Sequence, residues 1–575
     1  MSQILFVSPN FTPDLASVPI GLVLLATILE RDGHKPAIVQ FCQFGGADDY
    51  DSFLENAVEK ILAEEPRIVS FYTRCDVYHL ELKISEQIKQ RRPEVTVVFG
   101  GPQSDLCAEE TMRSFSCVDY ICRGEGETVI LPLFNSILAN APDESLPGLT
   151  FVRDGVYRSN PRPALLEDLD SLPNLDYSLL MTGDADEKPT GSYPVDVGRG
   201  CPFSCIFCST KTFWQRHYRL KSADRIVDEI RNIHERLGYT TFSFVHDMFT
   251  MNRAKVVNIC SQLQALDFPI RWRCSARVDC LDPELLDIMT ASGMEWVYVG
   301  IETGSPRMQR LTQKNLKLQT VEPLMEYARR KNLYVTASFI FGFPEETEED
   351  VNQTLDLCFR LIECRTIRVQ LHLCAFYPGT ELYYVNRDRL KPADVFSNAS
   401  GDIYVKECAE MIFSHPDIFP QYFTLDLPLR KELEYLDFFF TVCSGTRPVY
   451  TSLYRRRFRG NGVEMYRAWR RVNEDRIDKI LTHVSNHQYA LELYSDDRFL
   501  AQFADDPLYS RMKGVLDFEN DRRFLSTMQP GTKIYPFSYR DFKAGLPLED
   551  FREGFTVAHF LPDGNGRVSM QIGGN

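Results

Sequence analysis

Three cysteines lie close together in one short stretch of this sequence. They are Cys201, Cys205 and Cys208 in GRGCPFSCIFCSTKTFW (198–214), separated by three and then two residues. Thiolates this close in sequence are typical of a compact centre of soft metal ions. A structural zinc site usually takes four ligands in two pairs, and no second Cys-x-x-Cys follows. We therefore expect a metal centre with one open position; a zinc site or a chance group of cysteines are the alternatives.

The chain before these cysteines alternates between strands and helices. A helix is predicted over 19–33, with Pro19 in its first turn and Gly33 at its end. Apolar strands separated by helices predict a parallel sheet covered on both faces, whose ligand site lies beyond the carboxyl ends of the strands. We expect this doubly wound domain to occupy 1–140, with strands at 4–8, 37–41, 67–72 and 95–101 and a further segment, 118–127, that leads into another helix.

The cysteine motif opens a second alternating series, which predicts a partial parallel barrel of the (β/α)6 type over 193–390. Its strands are expected at 194–198, 240–249, 270–279, 296–304, 334–344 and 368–379. Between the two domains, the Pro- and Asp-rich stretch 141–192 is expected to be a connector with one hairpin at Asp154-Gly155. Residues 391–575 are predicted to form a mainly helical domain that ends in short strands, with a turn at 563–566. The fold class is therefore α/β, with a Rossmann-like first domain.

The motif Cys-x-x-x-Cys-x-x-Cys, placed directly after a strand, resembles the signature of the radical S-adenosylmethionine (SAM) enzymes, and the resemblance covers 194–380. It implies a 4Fe–4S cluster on Cys201, Cys205 and Cys208, with the fourth iron left for SAM. Phe207 is aromatic, as is usual in that family. The resemblance further implies that one electron from the cluster cleaves SAM to a 5′-deoxyadenosyl radical, which can take a hydrogen from an inert carbon. The protein would position the reactants and exclude water.

Further segments match the same family. HDMF (246–249) implies a contact of His246 with the SAM amino group, although the common Gly-Gly-Glu form is absent. SARVD (275–279) and GIETG (300–304) resemble segments that hold the ribose and methionine parts of SAM, which implies roles for Ser275, Arg277 and Glu302. A structural charge pair at the barrel rim is the alternative for Arg277 and Glu302. FGFPEET (341–347) and FYPGT (376–380) are interpreted as backbone turns.

The N-terminal domain resembles that of the cobalamin-binding subgroup, through PIGLVLLATILERDGH, VVFGGP and DYICRGEGE. This implies that the corrinoid tail lies near Ser70, Gly100 and Gly101, where glycines allow close approach. No Asp-x-His-x-x-Gly motif supplies a histidine for the lower face of cobalt. Arg74 is the candidate for that face, with Tyr78 and His79 as alternatives, and a simple surface loop remains possible. A domain that has lost its corrinoid is a further alternative.

The composition limits the partners of the protein. The formal net charge is -16, which argues against a broad surface for nucleic acid. The start MSQILFVSPN shows no signal-like pattern, and no segment approaches eighteen apolar residues without a charge. Sixteen cysteines without an export signal predict a reducing, cytoplasmic location. The arginine-rich stretch 453–471 is interpreted as a solvated helical face, with a surface for an acidic substrate as the alternative.

These features together predict a cobalamin-dependent radical SAM enzyme that methylates a carbon of a natural-product or peptide precursor through methylcobalamin. Its C-terminal domain would shape the substrate site, and flavodoxin or ferredoxin would supply electrons. Tyr377, at the end of the sixth strand, is the candidate for returning a hydrogen or a proton. The first alternative is a cyclase or rearrangement enzyme with the same domains. A tRNA methylthiotransferase is disfavoured because the first domain lacks a second three-cysteine set, and a cofactor carrier would leave SARVD, GIETG and FGFPEET unexplained.

Overall fold

The computed structural model describes residues 3–8, 19–41, 50–181, 191–397, 404–481, 498–523, 525, 530–562 and 568–572. The chain divides into two compact units. The first comprises Met1–Tyr298, Thr312–Lys314 and Ala375–Asp426, and the second comprises Val299–Leu311, Asn315–Cys374 and Leu427–Asn575.

The first unit begins with an eight-stranded sheet in the order β7-β6-β5-β4-β3-β1-β2-β8. Strands β1 to β5 are parallel, as predicted, and β1 is buried along its whole length because helices cover both faces. The strands are β1 (Ile4–Ser8), β2 (Pro36–Gln40), β3 (Ile68–Tyr72), β4 (Thr96–Gly100), β5 (Tyr120–Cys122), β6 (Leu149–Arg153), β7 (Val156–Ser159) and β8 (Leu180–Met181). The helices are α1 (Ile20–Arg31), α2 (Tyr50–Leu62), α3 (Tyr78–Arg91), α4 (Pro102–Leu106), α5 (Ala108–Ser114) and α6 (Ile130–Leu138).

The stretch 141–192 does more than connect two domains. Its hairpin β6–β7 turns at Asp154 and Gly155, both with positive φ, and β6 adds antiparallel to β5. Strand β8 adds parallel to β2 at the other edge of the sheet. These additions pair backbone groups that bare edge strands would leave exposed. The hairpin is as predicted, whereas the extension of the sheet was not expected from a Pro- and Asp-rich sequence.

The second sheet has six strands in the order β9-β12-β13-β14-β15-β16, which is also their order along the chain. The six strands and the helices that separate them confirm the predicted (β/α)6 arrangement. The strands are β9 (Tyr193–Asp196), β12 (Thr241–Val245), β13 (Arg271–Ala276), β14 (Met294–Glu302), β15 (Tyr334–Phe341) and β16 (Ile367–Leu373), and a separate short ladder pairs β10 (Gly198–Arg199) with β11 (Arg219–Leu220). The helices are α7 (Thr210–Phe213), α8 (Ala223–Leu237), α9 (Arg253–Gln264), α10 (Pro283–Ala291), α11 (Pro306–Leu311), α12 (Val321–Arg330), α13 (Glu348–Ile362) and α14 (Glu381–Asn386).

The helices of this series begin and end at residues that the sequence marks. Ser222 caps α8 by accepting a hydrogen bond from the Arg225 N–H, and Gly238 ends it in the left-handed region. Thr347 and Asp350 form a capping box at the start of α13. These local signals explain why the boundaries of the predicted repeats lie close to the observed ones.

The C-terminal part is mainly helical, as predicted. Its helices are α15 (Ala409–Ser414), α16 (Pro428–Glu432), α17 (Leu436–Gly445), α18 (Arg447–Arg456), α19 (Gly462–Leu481), α20 (Arg498–Ala501), α21 (Tyr509–Arg523) and α22 (Tyr539–Ala544). Its strands are β17 (Lys391–Pro392), β18 (Phe423–Thr424), β19 (Gly531–Tyr535), β20 (Thr556–Pro562) and β21 (Val568–Ile572), the last three forming an antiparallel sheet. The predicted turn at 563–566 lies outside the described residues.

The arginine-rich stretch lies on α18 and α19 and is ion-paired. Arg456 and Arg457 contact Asp506, and Arg467 contacts Glu432 and Glu348. These pairs fit the solvated helical face better than an open surface for an acidic partner. In the part of the chain that the structure describes, no helix combines the length and apolar character needed to cross a membrane.

Candidate active site

The cysteine loop is held by the glycines that precede it. Gly200 has φ +85°, and a Cβ at this position would lie 2.0 Å from the His217 carbonyl oxygen. Its N–H donates to the Asp247 carboxylate at 3.0 Å. Only glycine can make this close approach at positive φ. The backbone therefore enters the loop in one conformation, directly before Cys201.

The three cysteines are not in disulfides; Cys205 is buried, and Cys201 and Cys208 are half-buried. Burial raises the pKa of Cys201, the nearby Cys208 and Asp247 raise it further, and Arg277 lowers it. The loop thus brings thiols, a carboxylate and a guanidinium close together.

Among the described residues, no three His, Cys, Asp or Glu side chains converge on one ion position. The cysteines of a 4Fe–4S cluster bind separate irons, so they surround a larger centre and need not converge. The donor set therefore fits a cluster. The His-x-x-x-His spacing that a zinc alternative could use does occur, at His483 and His487, but these residues lie outside the described ones.

Arg277 is buried next to the cysteine loop. Its Nε and Nη2 donate to the Asp279 carboxylate at 2.9 Å each, and Nη2 also donates to the Lys314 carbonyl at 2.9 Å. Its guanidinium lies 3.8 Å from the ring centroid of Phe203, inside the loop. Its Nη1 is buried without a hydrogen-bond partner. A fixed cation with one buried free donor is suited to the carboxylate of SAM, and this role stays a prediction.

Both ring nitrogens of His246 are hydrogen-bonded to backbone groups, and its contact with the SAM amino group stays a prediction. Its Nδ1 accepts from the Met248 N–H at 2.8 Å, and its Nε2 donates to the Arg219 carbonyl at 3.1 Å. Burial lowers the pKa of His246 to about 4, so the ring is neutral. The residue of HDMF that offers a carboxylate is Asp247, which was not predicted as a site residue from the sequence. Burial raises the pKa of Asp247, and the Gly200 N–H and the Trp214 side chain oppose that rise.

Glu302 ends β14 in the second unit. It is a non-glycine residue at φ +71°, in the left-handed region, and it is buried. Two residues later, a Cβ at Gly304 would lie 2.5 Å from the Gln353 carbonyl oxygen of α13. GIETG is thus a tightly packed turn in which Glu302 holds an unfavourable conformation, a feature common at functional sites. Its contact with ribose stays a prediction.

FYPGT and FGFPEET are backbone turns, as predicted. The Tyr377 carbonyl accepts from the hydroxyl of Thr380, which caps α14. Tyr377 itself is half-buried, and its role in hydrogen return stays a prediction.

In the second unit, the Gly342 N–H donates to the Glu346 carboxyl at 2.5 Å. Burial raises the pKa of Glu346 to about 8.

A cavity of about 740 Å³ opens in the first unit at the carboxyl ends of β1, β3, β4 and β5. It is also lined by residues of the cysteine loop and of the β9, β12 and β13 ends, so one space adjoins both predicted cofactor regions. Six of the predicted binding residues line it: Ser70, Arg74, Gly100, Gly101, His246 and Ser275. Arg277, Glu302 and Tyr377 are not among the residues that line it.

The glycines of this cavity fit the approach of a bulky group. A Cβ at Gly100 would meet only the Cys122 carbonyl oxygen, at 3.8 Å, so it would occupy the cavity itself. Gly101 has φ +105°, and a Cβ there would lie 2.9 Å from the Thr73 nitrogen. Aromatic side chains of Phe6, Phe71 and Phe99 line the same space. An apolar cavity with a glycine rim at strand ends suits a corrinoid.

Of the three candidates for the lower face of cobalt, the structure places only Arg74 in the cavity lining. Arg74 pairs with Asp76 at 3.0 Å. Tyr78 is buried with its hydroxyl 2.9 Å from that of Thr111, and His79 packs at the edge of the Tyr422 ring. The loop after β3 therefore presents a cation to the cavity, and its role toward cobalt stays a prediction.

A buried ion network, not predicted from the sequence, joins the loop after β5 of the N-terminal sheet to the β10–β11 ladder within the first unit. Arg199 contacts Glu125 and Glu127 at 2.6 Å each, and Arg219 contacts Glu125 at 2.9 Å. Burial would raise the pKa of Glu125, but the hydrogen bond from Arg219 and the charge of Arg199 lower it overall. The signal was present in RGEGE and GRG, whose charged residues lie beside glycines at strand ends.

Two family models match the chain: the radical SAM superfamily over residues 195–358 and the B12-binding domain over residues 12–133. An uncharacterized methyltransferase of Pyrococcus horikoshii is 30% identical over 64% of this chain and 77% of its own length. The anaerobic magnesium-protoporphyrin IX monomethyl ester cyclase of Rubrivivax gelatinosus is 26% identical over 61% of this chain and 64% of its own length. A solved structure of the radical SAM methyltransferase TsrM from Kitasatospora setae, with cobalamin and a 4Fe–4S cluster bound, matches with a TM-score of 0.56 at 21% identity, over 68% of this chain and 81% of TsrM.

The fold and the site define an iron–sulfur enzyme whose cluster loop adjoins a corrinoid-type cavity. The chain belongs to the radical SAM superfamily, in the branch that carries a B12-binding domain. Its cofactors are a 4Fe–4S cluster, SAM and cobalamin.

Proposed function

We propose that this protein transfers a methyl group to a carbon atom of an organic substrate. The observation that carries the proposal is the shared cavity, in which Gly100 and Gly101 of the sheet and Ser209 and Thr210 of the cysteine loop line one space. A methyl carrier and a SAM site must adjoin for such a transfer. Relatives named as methyltransferases support the same reaction.

When bound, the cofactors would supply the electron, the radical and the carried methyl group. The chain's own residues would bind and orient the cofactors and the substrate, and they would exclude water. Cys201, Cys205 and Cys208 would hold the cluster. Arg277 would hold the SAM carboxylate through Nη1, with its other nitrogens fixed by Asp279 and Lys314. The apolar walls of the cavity would keep water from reactive species.

The substrate class and the partners are further parts of this proposal. We infer a natural-product or peptide precursor as substrate and flavodoxin or ferredoxin as electron donor. A cytoplasmic location is supported by the fifteen described cysteines, all free of disulfides.

The experiment is an anaerobic assay with reconstituted protein, a reductant, cobalamin and SAM carrying a deuterated methyl group. Methyl transfer predicts S-adenosylhomocysteine and a deuterated product when candidate small molecules and peptides are supplied. The protein with Cys201, Cys205 and Cys208 all changed to Ala is the control. If only 5′-deoxyadenosine forms, with no labelled methyl group in cobalamin or product, methyl transfer is rejected. The cyclase alternative then takes its place, and a relative named as a cyclase supports that alternative.

A further inference from the structure

A second cavity, of about 480 Å³, lies within the second unit. Its walls come from the loop before β16, the junction of α17 and α18, and the ends of α21 and α22. Its charged residues are five arginines and two glutamates: Arg365, Arg447, Arg455, Arg522, Arg523, Glu363 and Glu519. The lining of this cavity therefore carries an excess of positive charge, although the net charge of the whole protein is -16.

This cavity is not part of the site described above. Arg365 precedes β16 by two residues, so the cavity opens at the amino end of that strand. Barrels of parallel strands carry their catalytic groups at the carboxyl ends. The proposed methyl transfer gives the cavity no role.

Two of the five arginines have no carboxylate in direct contact among the described residues. Arg455 pairs with Glu363 at 2.5 Å and with Glu549 at 3.1 Å, and Arg522 pairs with Glu519 at 2.8 Å. Arg365 and Arg447 have no ion pair with any described residue. Burial lowers the pKa of Arg447, and the charge of Arg365 lowers it further. Two guanidiniums therefore lie near each other, and Glu519, the carboxylate whose charge acts on both, is itself paired with Arg522.

Structural hydrogen bonds use only part of their donors. Arg365 donates to the Phe542 carbonyl through Nη2, and Arg447 donates to the carbonyls of Ser444 and Cys364 at 3.2 and 3.1 Å. Capping of helix ends explains these bonds, because Ser444 and Phe542 lie in the last turns of their helices. Each guanidinium has five N–H groups, so donors remain. The hydroxyl of Ser444 is also buried without a partner.

We propose that this cavity is an anion site that binds a phosphate group, either free or on a small phosphate ester. Guanidinium forks match phosphate oxygens in pairs, and a doubly charged group offsets two cations at once. The volume exceeds what one phosphate fills, which leaves room for the remainder of an ester. Arg365 and Arg447 would be the principal ligands, with the Ser444 hydroxyl as a further donor.

The test is calorimetric titration of the full-length protein with inorganic phosphate and, separately, with glycerol 3-phosphate, at constant ionic strength set by chloride. Loss of one charge-assisted pair should weaken binding about tenfold or more in Arg365→Gln and in Arg447→Gln. Arg329→Gln is the control, since Arg329 is exposed on α12 and paired with Glu326. Its affinity should equal that of the unmodified protein.

Each outcome decides the proposal. Tighter binding of glycerol 3-phosphate than of phosphate assigns an ester, and equal or tighter binding of phosphate assigns the free ion. Absence of binding to the unmodified protein in both titrations overturns the proposal, as does binding that survives both substitutions. Because Arg447 is largely buried, circular dichroism checks its variant, and Arg365→Gln carries the test if that variant unfolds. Cluster content and SAM cleavage should stay unchanged in all variants, so this outcome is separate from that of the proposed function.

Discussion

Arg277 is held on three sides and free on one. Asp279, the Lys314 carbonyl and the Phe203 ring fix its plane, and the buried Nη1 is left for a ligand. A lysine keeps the charge but lacks the planar fork and the stacking. We therefore expect Arg277→Lys to weaken SAM binding about tenfold or more while the iron content stays unchanged.

Equilibrium dialysis with SAM and an iron assay on the same samples measure these two effects. Arg253→Lys is the matched control, because Arg253 is an exposed arginine of the first unit, paired with Asp282 and Glu284. Unchanged SAM affinity in Arg277→Lys would show that the free donor serves another purpose.

The cysteines make the second prediction at this scale. Changing Cys201, Cys205 or Cys208 singly to Ala should remove the cluster, because each thiolate binds its own iron. Iron and sulfide analysis after anaerobic reconstitution measures the loss. Cys364→Ala, a half-buried cysteine of the second unit, should keep the full content. A cluster that survives any of the three substitutions would contradict the assignment of that ligand.

Glu346 leads to a prediction about the pH dependence of stability. Burial raises its pKa from 4.5 to about 8, the Gly342 N–H and the Arg430 charge oppose the rise, and Asp350 adds to it. Between these values the folded protein keeps a proton that the unfolded chain releases, so stability from this group falls as pH rises through that window. Glu346→Gln has no carboxyl to ionise on unfolding. Its free energy of unfolding, relative to that of the unmodified protein, should therefore rise by up to about 1.4 kcal/mol per pH unit in this window.

Thermal unfolding of both proteins at about pH 5.5 and about pH 7.5 measures this difference, since both values lie in the range where the folded protein holds the proton and the unfolded chain does not. The Tm of Glu346→Gln minus that of the unmodified protein should increase with pH. An equal difference at both pH values would show that the carboxyl is ionised when folded.

At the scale of elements, the ends of the parallel strands make the cofactor cavity. Gly100 ends β4, and a Cβ there would enter open cavity space without disturbing the fold. We expect Gly100→Ala to fold normally and to bind cobalamin about tenfold more weakly, since an extra methyl in a filled site costs about 1–3 kcal/mol. Absorption titration with cobalamin measures the affinity.

Gly531→Ala is the matched control for this change. Gly531 begins β19, far along the chain from the cavity, and a Cβ there meets nothing within 4 Å. Its cobalamin affinity should not change. If Gly100→Ala also binds normally, the corrinoid does not approach β4.

At the scale of the whole molecule, a buried ion network stabilises the first unit. Arg199 is 8% exposed and contacts Glu125 and Glu127, which belong to the loop after β5. Removing one partner of a buried pair leaves uncompensated charge and typically costs about 3–5 kcal/mol. Arg199→Met should therefore lower the free energy of unfolding of the first unit by about that amount.

Urea unfolding followed by tryptophan fluorescence measures this loss. Arg231→Met is the control, because Arg231 and Asp228 form an exposed pair that contributes about 0–1 kcal/mol. Adding Glu127→Gln to Arg199→Met should recover part of the stability, since Glu127 loses its partner in Arg199→Met whereas Glu125 keeps Arg219. A loss no larger than that of the control would show that water compensates the glutamates.

Much of this architecture could be predicted because local patterns and tertiary requirements agree. The strands β1 to β5 and the six barrel strands are short apolar runs between helices that carry caps such as Ser222 and Thr347. The chain order of the repeats then leaves few sheet topologies. The additions β6, β7 and β8 were not predicted as part of the first sheet, because edge strands need fewer apolar residues than central ones.

The sequence by itself indicated the chemistry of the first step, because the three cysteines after a strand resemble the radical SAM signature, and that resemblance implies a cluster with an open iron. Only the tertiary structure decided which residues surround the cluster loop and the cavity beside it. Both ring nitrogens of His246 are hydrogen-bonded to backbone groups, whereas its neighbour Asp247 places a carboxylate at the same cavity, and Arg199 contacts Glu125 from a distant segment. The physical reason is that a motif records residues adjacent in the chain, whereas hydrogen-bond partners and burial depend on groups brought together only by folding.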